Sequence, residues 1–94
     1  MHFVYIIYSS DKDTFNIGET SDIELRLEWH NSTIFKNSHT KIANDWTVFH
    51  LIKCVDIFQA RKIEKHIKSM KSKTYIYNLK KYPEISEKLL LKHS

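Results

Sequence analysis

Apolar and polar positions change their spacing several times along the chain, and each change marks a predicted element. His2 to Tyr8 is rich in β-branched and aromatic residues, which favours a strand. Thr14 to Gly18 follows after a short polar turn, so the two segments predict an antiparallel hairpin. Neither face of the first strand is plainly polar. We therefore expect the sheet to be covered, at least in part, on both sides.

A capping box predicts where the first helix begins. Ser21 and Glu24 have the spacing in which an N-cap hydroxyl and a third-position carboxylate satisfy each other's amides. The pattern predicts a helix with Ser21 as its N-cap and its end near Asn31. Ile23 and Leu27 fall on one stripe and can pack inward. Residues 32–45 are polar with scattered apolar positions and predict a loop with one irregular turn.

A third strand and a second helix follow. Trp46 to Val55 predicts the strand, and Asp56 with Gln59 forms a second capping box that opens a helix ending near Met70. Spacings of three and four predict a core-facing stripe on this helix, formed by Ala60, Ile63, Ile67 and Met70.

The remaining residues complete the fold prediction. Thr74 to Leu79 is interpreted as a short apolar connector, and Pro83 precedes a last helix with apolar positions at Ile85, Leu89 and Leu90. The predicted order is β-β-α-β-α-α, an α/β (α+β) fold with a three-stranded antiparallel sheet flanked by helices. With no internal repeat and only 94 residues, we expect one domain over residues 1–94.

The composition indicates the cellular compartment that we expect for the protein. The one cysteine, Cys54, cannot form an internal disulfide and lies in an apolar run, so a buried structural thiol is expected. No stretch has the roughly 18 apolar residues that a membrane helix needs. No signal peptide is visible either, and we expect a cytoplasmic protein.

Charge is distributed unevenly. The net charge is +4, but residues 1–30 carry six acidic and two basic side chains, whereas residues 61–81 carry eight basic ones against Glu64 alone. Such a basic stretch attracts nucleic-acid phosphates through counterion release. An ordinary solvated helix face has the same composition, so charge alone only favours a nucleic-acid partner.

Four side chains are of the types that phosphodiester hydrolysis needs. Tyr5 lies on the first strand, Arg26 and His30 lie four residues apart on one helix, and Glu64 lies at the edge of the buried face of another. Such a reaction requires a base, a cation near the phosphorus and a carboxylate for a hard metal ion. Each also has a structural interpretation. Tyr5 could be core, Arg26 could pair with Asp22, His30 could contact the last helix carbonyls, and Glu64 could pair with Lys68.

The order of these segments resembles the GIY-YIG nuclease superfamily, and most closely its small single-domain bacterial branch, described as excision-nuclease-like. Residues 3–5 match the first motif with its leading glycine replaced, and Asn16-Ile17-Gly18 matches the second. Three further segments match in order, namely residues 19–31 with Arg26 and His30, residues 40–46, and residues 60–68 with Glu64. Each motif is short, but the likeness covers nearly the whole chain.

The resemblance implies a role for each matching position. Glu64 would hold one Mg²⁺ or Mn²⁺ ion together with water and phosphate oxygens. Arg26 would stabilise charge on the scissile phosphate, and Tyr5, with a pKa lowered by nearby cations, would activate or orient water. His30 would relay protons or hold the tyrosine, and Gly18 would allow close backbone approach. DNA would be the partner, with RNA left open, and the expected contacts to its backbone are Lys41, Arg61, Lys65, Lys68, Lys71 and Lys73.

Asn16 departs from the family pattern, which normally has a second tyrosine at this position. Asparagine has no ionisable proton near neutral pH, so it can orient a water molecule but cannot deprotonate it. If the second tyrosine were the base, this protein would be slow or inactive. If Tyr5 is the base, the change costs little.

Three hypotheses follow. The first is a metal-dependent DNA endonuclease with repair or recombination as its setting. The second is a nucleic-acid-binding domain of the same fold whose catalysis is weakened by Asn16. The third is a protein-interaction module. A monomer and a weak homodimer both fit the sequence.

Overall fold

The computed structural model describes residues 1–32 and 44–94. The three predicted strands form one antiparallel sheet in the order β2-β1-β3, which confirms the expected class. The elements in chain order are β1 (His2–Ser9), β2 (Thr14–Thr20), α1 (Ile23–Asn31), β3 (Trp46–Cys54), α2 (Ile57–Met70), α3 (Lys73–Lys81) and α4 (Pro83–Lys92).

Strand β1 is the central strand, and its alternating side chains enter two separate cores. Val4 and Ile6 face α2, α3 and α4, where they join the larger core. Tyr5 and Ile7 face α1, where they pack with Trp46 and with the inner side of that helix. The expected cover on both faces of the sheet is confirmed. The site residue Tyr5 therefore belongs to the smaller core, beneath α1.

Helix α1 begins one residue later than the capping box predicts. Its N-cap is Asp22, whose Oδ1 accepts a hydrogen bond from the Leu25 amide at 3.0 Å. Thr20 Oγ1 accepts from the Asp22 amide at 3.1 Å and thereby holds the cap residue in place. Ser21 is therefore not the N-cap, because a carboxylate one residue further on accepts the exposed amide. Ile23 and Leu27 pack inward as predicted.

Helix α2 packs across β1 and β2 and carries the predicted metal ligand. Asp56 is its N-cap, with Oδ1 accepting from the Gln59 amide at 2.8 Å, as expected. The Gln59 side chain turns back to the Val55 amide rather than to Asp56. The predicted stripe is buried except at Met70, which is 43% exposed because it is the last residue of the helix and lies past the edge of the core.

The segment interpreted as a connector is a helix, α3. Ser72 is its N-cap and accepts from the Tyr75 amide at 3.1 Å. Its β-branched and aromatic content argues against a helix, but Ile76 and Leu79 lie three residues apart and both reach the larger core. Tertiary packing outweighs local propensity here, and the order becomes β-β-α-β-α-α-α.

The segment between α1 and β3 was expected to be a loop, and residues 33–43 lie outside the described residues. Asn31 joins the elements that flank it. Its side chain donates to the Trp46 carbonyl at 3.0 Å and accepts from the Trp46 amide at 2.7 Å. This two-bond contact holds the end of α1 against the start of β3.

Two expectations from composition can be compared with the described residues. Cys54 is buried at 2% exposure in the larger core, as predicted, and burial raises the pKa of its thiol. No helix in residues 1–32 and 44–94 is both long enough and apolar enough to cross a membrane.

Candidate active site

The pairing of β1 with β2 places Tyr5 directly opposite Gly18. The tyrosine side chain lies over the glycine so closely that a Cβ on residue 18 would overlap its hydroxyl oxygen and Cζ and approach its Cε2 to 2.9 Å. Gly18 is needed for room rather than for an unusual backbone angle, because no glycine in the described residues has a positive φ. The expected close approach at Gly18 is therefore made by Tyr5 itself.

Tyr5 is joined to His30 across the interface between β1 and α1. Its hydroxyl oxygen lies 3.2 Å from His30 Nε2, and both residues are buried, at 3% and 6% exposure. The two rings meet edge to face with centroids 6.0 Å apart. The rings of Trp29 and Trp46 flank the imidazole, with centroids 5.0 and 6.0 Å from its centroid. The imidazole is therefore held in one orientation by packing as well as by the hydrogen bond.

Arg26 lies one helical turn before His30 and acts on the same hydroxyl. Burial raises the pKa of Tyr5 above its usual value, while the charge of Arg26 and a hydrogen bond from it act in the opposite direction. The lowered pKa expected for Tyr5 is therefore wrong, because desolvation of the phenolate outweighs the cation. Among the ion pairs of the described residues, none joins Arg26 to Asp22. The guanidinium instead lies 5.6 Å from the centre of the Trp29 ring.

Glu64 comes to the site from the opposite helix, α2. Its negative charge lies close enough to Tyr5 to raise the pKa of the phenol further. The Glu64 side chain is 18% exposed, at the edge of the buried face as predicted, and its Oε2 accepts from Lys68 Nζ at 2.6 Å. The structural interpretation of Glu64 as an ion-pair partner is thus confirmed, and it coexists with the position near Tyr5.

One carboxylate fits a particular kind of metal site. No group of three or more His, Cys, Asp or Glu side chains within residues 1–32 and 44–94 could enclose an ion. Mg²⁺ does not need such an enclosure, because it retains several water ligands and is often held by one or two carboxylates plus substrate phosphates. Glu64 therefore fits an ion that is bound jointly by the protein and a nucleic-acid phosphate.

Asn16 lies two residues before Gly18 on β2, about 7 Å along the strand and on the same face of the sheet. It lines a cleft between β2 and the junction of α2 with α3, together with Lys68, Lys71 and Ser72. Phe15 and Ile17 pack against the larger core on the α2 face, so the Asn16 side chain lies on the other face of the sheet, the one that carries Tyr5.

The basic residues expected to follow a nucleic-acid backbone have several intramolecular partners. Arg61 Nε lies 3.5 Å from Glu19 Oε2, and Lys73 Nζ donates to the Asp13 carbonyl at 3.2 Å. Lys68 pairs with Glu64, as described above. Lys65 is exposed on α2, and Lys71 ends that helix in a left-handed conformation with φ 47°. Lys41 lies outside the described residues.

Glu19 is a neighbour of the site that sequence reasoning did not single out. It is partly buried on β2 beside Gly18, and its charge also raises the pKa of Tyr5. Its carboxylate accepts from His2 and lies near Arg61, and these contacts lower its own pKa, the His2 hydrogen bond most strongly. The sequence signal that could have identified Glu19 is its position directly after Gly18 in the second motif.

The fold and this group of residues define a small α+β domain whose site has the side chains needed for phosphodiester chemistry. Comparison with known proteins agrees. The sequence model of the GIY-YIG catalytic domain matches residues 1–81. A protein of Syntrophus aciditrophicus (strain SB) named UPF0213 protein is 34% identical over 83 residues, which cover 88% of this chain and 94% of that protein. No solved structure matches.

The chain therefore belongs to the GIY-YIG family. This is a family of nucleases, whose substrates are nucleic acids and whose reactions generally depend on divalent metal ions. The resemblance noted from the sequence is confirmed at this level.

Proposed function

We propose that this protein is a divalent-metal-dependent endonuclease that hydrolyses DNA phosphodiester bonds. The observation that carries the proposal is the Tyr5–His30 hydrogen bond at 3.2 Å, formed within the electrostatic reach of Arg26 and Glu64. The Tyr5 hydroxyl can act as a base towards water, and His30 can accept the proton of that hydroxyl. The cation of Arg26 and the carboxylate of Glu64 lie close to the same hydroxyl group. These are the groups required for attack of water on a phosphodiester.

The raised pKa of Tyr5 determines how it can act as a base. A phenol that keeps its proton at neutral pH must release that proton as it takes one from water. In the tautomer protonated at Nδ1, His30 accepts the hydroxyl proton of Tyr5 at Nε2 while Tyr5 Oη takes a proton from the attacking water. The resulting hydroxide attacks phosphorus, the ester P–O bond breaks, and the departing oxygen takes a proton from solvent. His30 then passes its extra proton back to Tyr5 Oη, and Tyr5 releases one proton to solvent, which restores both side chains.

Arg26 and Glu64 serve the phosphate rather than the proton. The guanidinium presents planar donors to the phosphate oxygens, where negative charge develops during attack. Glu64 would hold one Mg²⁺ or Mn²⁺ ion. Such an ion supplies positive charge next to those oxygens. Both residues come from helices on either side of Tyr5, so the phosphate would lie across the edge of the sheet at β2.

The test is nicking of supercoiled plasmid DNA with Mg²⁺ or Mn²⁺. Glu64→Ala and Arg26→Ala should each reduce the rate at least about 100-fold, as is typical when one group that stabilises transition-state charge is removed. Glu87→Ala and Lys88→Ala, which change exposed charges on α4, are the matched controls and should nick at the wild-type rate. Nicking that survives both Glu64→Ala and Arg26→Ala would contradict the site assignment.

Asn16 supports a second candidate, a nucleic-acid-binding domain of the same fold with weak turnover. Its amide cannot accept a proton from water, so it cannot replace a tyrosine as the base. This candidate predicts retention of DNA that weakens as salt rises, together with no metal-dependent nicking. Absence of both nicking and low-salt retention would favour the protein-interaction module instead.

A further inference from the structure

The ion pair between Glu64 and Lys68 engages the carboxylate that the proposed function gives to a metal ion. Lys68 Nζ donates to Glu64 Oε2 at 2.6 Å, one helical turn away. The Glu64 side chain is 18% exposed, whereas the Lys68 side chain is 53% exposed. An ammonium and a divalent cation cannot both use the same carboxylate oxygen at full strength. The two cations therefore compete for Glu64.

Lys68 also borders the cleft between β2 and the junction of α2 with α3. Its polar neighbours there are Asn16, Lys71 and Ser72, and no carboxylate lines the cleft among the described residues. Two ammonium groups around one depression suit a phosphodiester oxygen. The lysine side chain can reach this cleft from the same backbone position, because its charge is at the end of a flexible four-carbon chain.

We propose that Lys68 is an exchange residue, which holds Glu64 in the free protein and moves to a phosphate of the bound strand, in the cleft beside Asn16, when a divalent ion takes the carboxylate. This inference rests on the proposed function and deepens it. It gives Lys71 a second phosphate to contact, next to the one at Arg26. Binding of metal and of nucleic acid then becomes mutually favourable. The metal ion releases Lys68 from Glu64 so that it can contact the phosphate, and the phosphate draws Lys68 away from Glu64 so that the carboxylate can bind the metal ion.

The size of the effect follows from the exposure of the pair. Ion pairs with one exposed member have modest strength in water, so loss of the competing ammonium should tighten metal binding by roughly two- to fivefold. A larger change would require the ammonium to be buried, which it is not.

The first measurement is metal affinity in the absence of nucleic acid. The full chain, labelled for NMR, is titrated with Mg²⁺, and the site is located by the broadening that Mn²⁺ causes. Lys68→Met should bind Mg²⁺ two- to fivefold more tightly than the wild type. Lys65→Met removes the same charge from an exposed position on the same helix and should bind like the wild type. Unchanged affinity in Lys68→Met, or equal tightening in Lys65→Met, overturns the exchange.

Glu64→Gln separates this inference from the proposed function. If Glu64→Gln leaves Mg²⁺ affinity and Mn²⁺ broadening unchanged, the metal site of the proposed function is wrong. If Glu64→Gln abolishes both effects but Lys68→Met does not tighten binding, the metal site stands and only the exchange is wrong.

The second measurement is coupling to DNA. Fluorescence anisotropy of a phosphorothioate-substituted duplex, which resists cleavage, gives its affinity in EDTA and in Mg²⁺. Lys68→Met should weaken binding more in Mg²⁺ than in EDTA, because only the metal frees Lys68 for a phosphate. Lys65→Met should weaken binding by the same factor in both buffers. Equal losses for Lys68→Met would identify it as an ordinary phosphate contact and overturn the exchange.

Discussion

Gly18 and Tyr5 face each other across β1 and β2, and the tyrosine ring occupies the space where any other residue at position 18 would have its Cβ. Alanine in place of a strand glycine usually stabilises by about 0.5–1 kcal/mol, because it reduces the freedom of the unfolded chain. Here the added methyl group meets a buried ring, so we expect Gly18→Ala to destabilise the protein by roughly 1–3 kcal/mol in urea unfolding.

The double variant with Tyr5→Ala tests that cause. Without the ring there is no overlap, so Gly18→Ala should cost less in the Tyr5→Ala background than in the wild type, by at least about 0.5 kcal/mol. Equal costs in both backgrounds would show that the overlap with Tyr5 is not what requires glycine at position 18.

The raised pKa of Tyr5 predicts a measurable alkaline transition. Neutral Tyr5 contributes stability that is fully present below the ordinary tyrosine pKa of 10.0 and is lost as the pH rises beyond it, because burial disfavours the phenolate. Tyr5→Phe should remove one late step from the ultraviolet titration of the phenols. Tyr8, with a pKa raised to about 12 chiefly by its hydrogen bond to Asp13, titrates late as well, so the step is assigned by difference.

The same substitution tests the proton relay. Tyr5→Phe should lower plasmid nicking by at least about 100-fold, the usual contribution of a general base, while the lost hydrogen bond costs only about 0.5–1.5 kcal/mol of stability. Tyr82→Phe, on the surface, is the control for both measurements. A Tyr5→Phe protein that nicks at the wild-type rate would exclude Tyr5 as the base.

Much of the fold could be predicted because most elements have a regular pattern. The strand composition of β1 and the three-and-four spacing of Ile63 and Ile67 on α2 gave the right elements and the right buried face. Helix α3 was missed because Tyr75 and Ile76 favour a strand locally, and only contact with the larger core makes them helical. Such tertiary effects are not encoded in a short window of sequence.

The candidate site shows the same division. Spacing of four placed Arg26 and His30 on one turn of α1, and the structure brings both to Tyr5. The direction of the Tyr5 pKa could not be predicted, because it depends on how deeply the ring is buried relative to the distance of each charge. The contribution of Glu19 was missed for that reason too, since its effect on Tyr5 requires the paired strands.

Asn16→Tyr distinguishes a complete site from one that lacks its base. If Tyr5 and His30 supply the relay, a second tyrosine on the same face of the sheet adds no missing group, and the nicking rate should change by less than about tenfold. Asn16→Phe controls for the added ring without a hydroxyl. A gain of roughly 100-fold or more in Asn16→Tyr alone would show that the natural protein lacks its general base, and the binding domain would become the better description.

His50 predicts that the protein loses stability in mild acid. Burial, and then the charge of Lys80, lower its pKa from 6.5, and its Nε2 lies 3.1 Å from Ser86 Oγ on α4. Because the unfolded chain binds the proton more readily, this contribution is intact above about pH 6.5 and is lost as the pH falls toward the folded pKa, at no more than about 1.4 kcal/mol per pH unit. Urea unfolding at several pH values between about 7 and 5 should show a shallower decline for His50→Gln than for the wild type. Ser86→Ala keeps the imidazole and should keep the steeper decline, whereas equal slopes for His50→Gln and the wild type would assign the acid sensitivity to other groups.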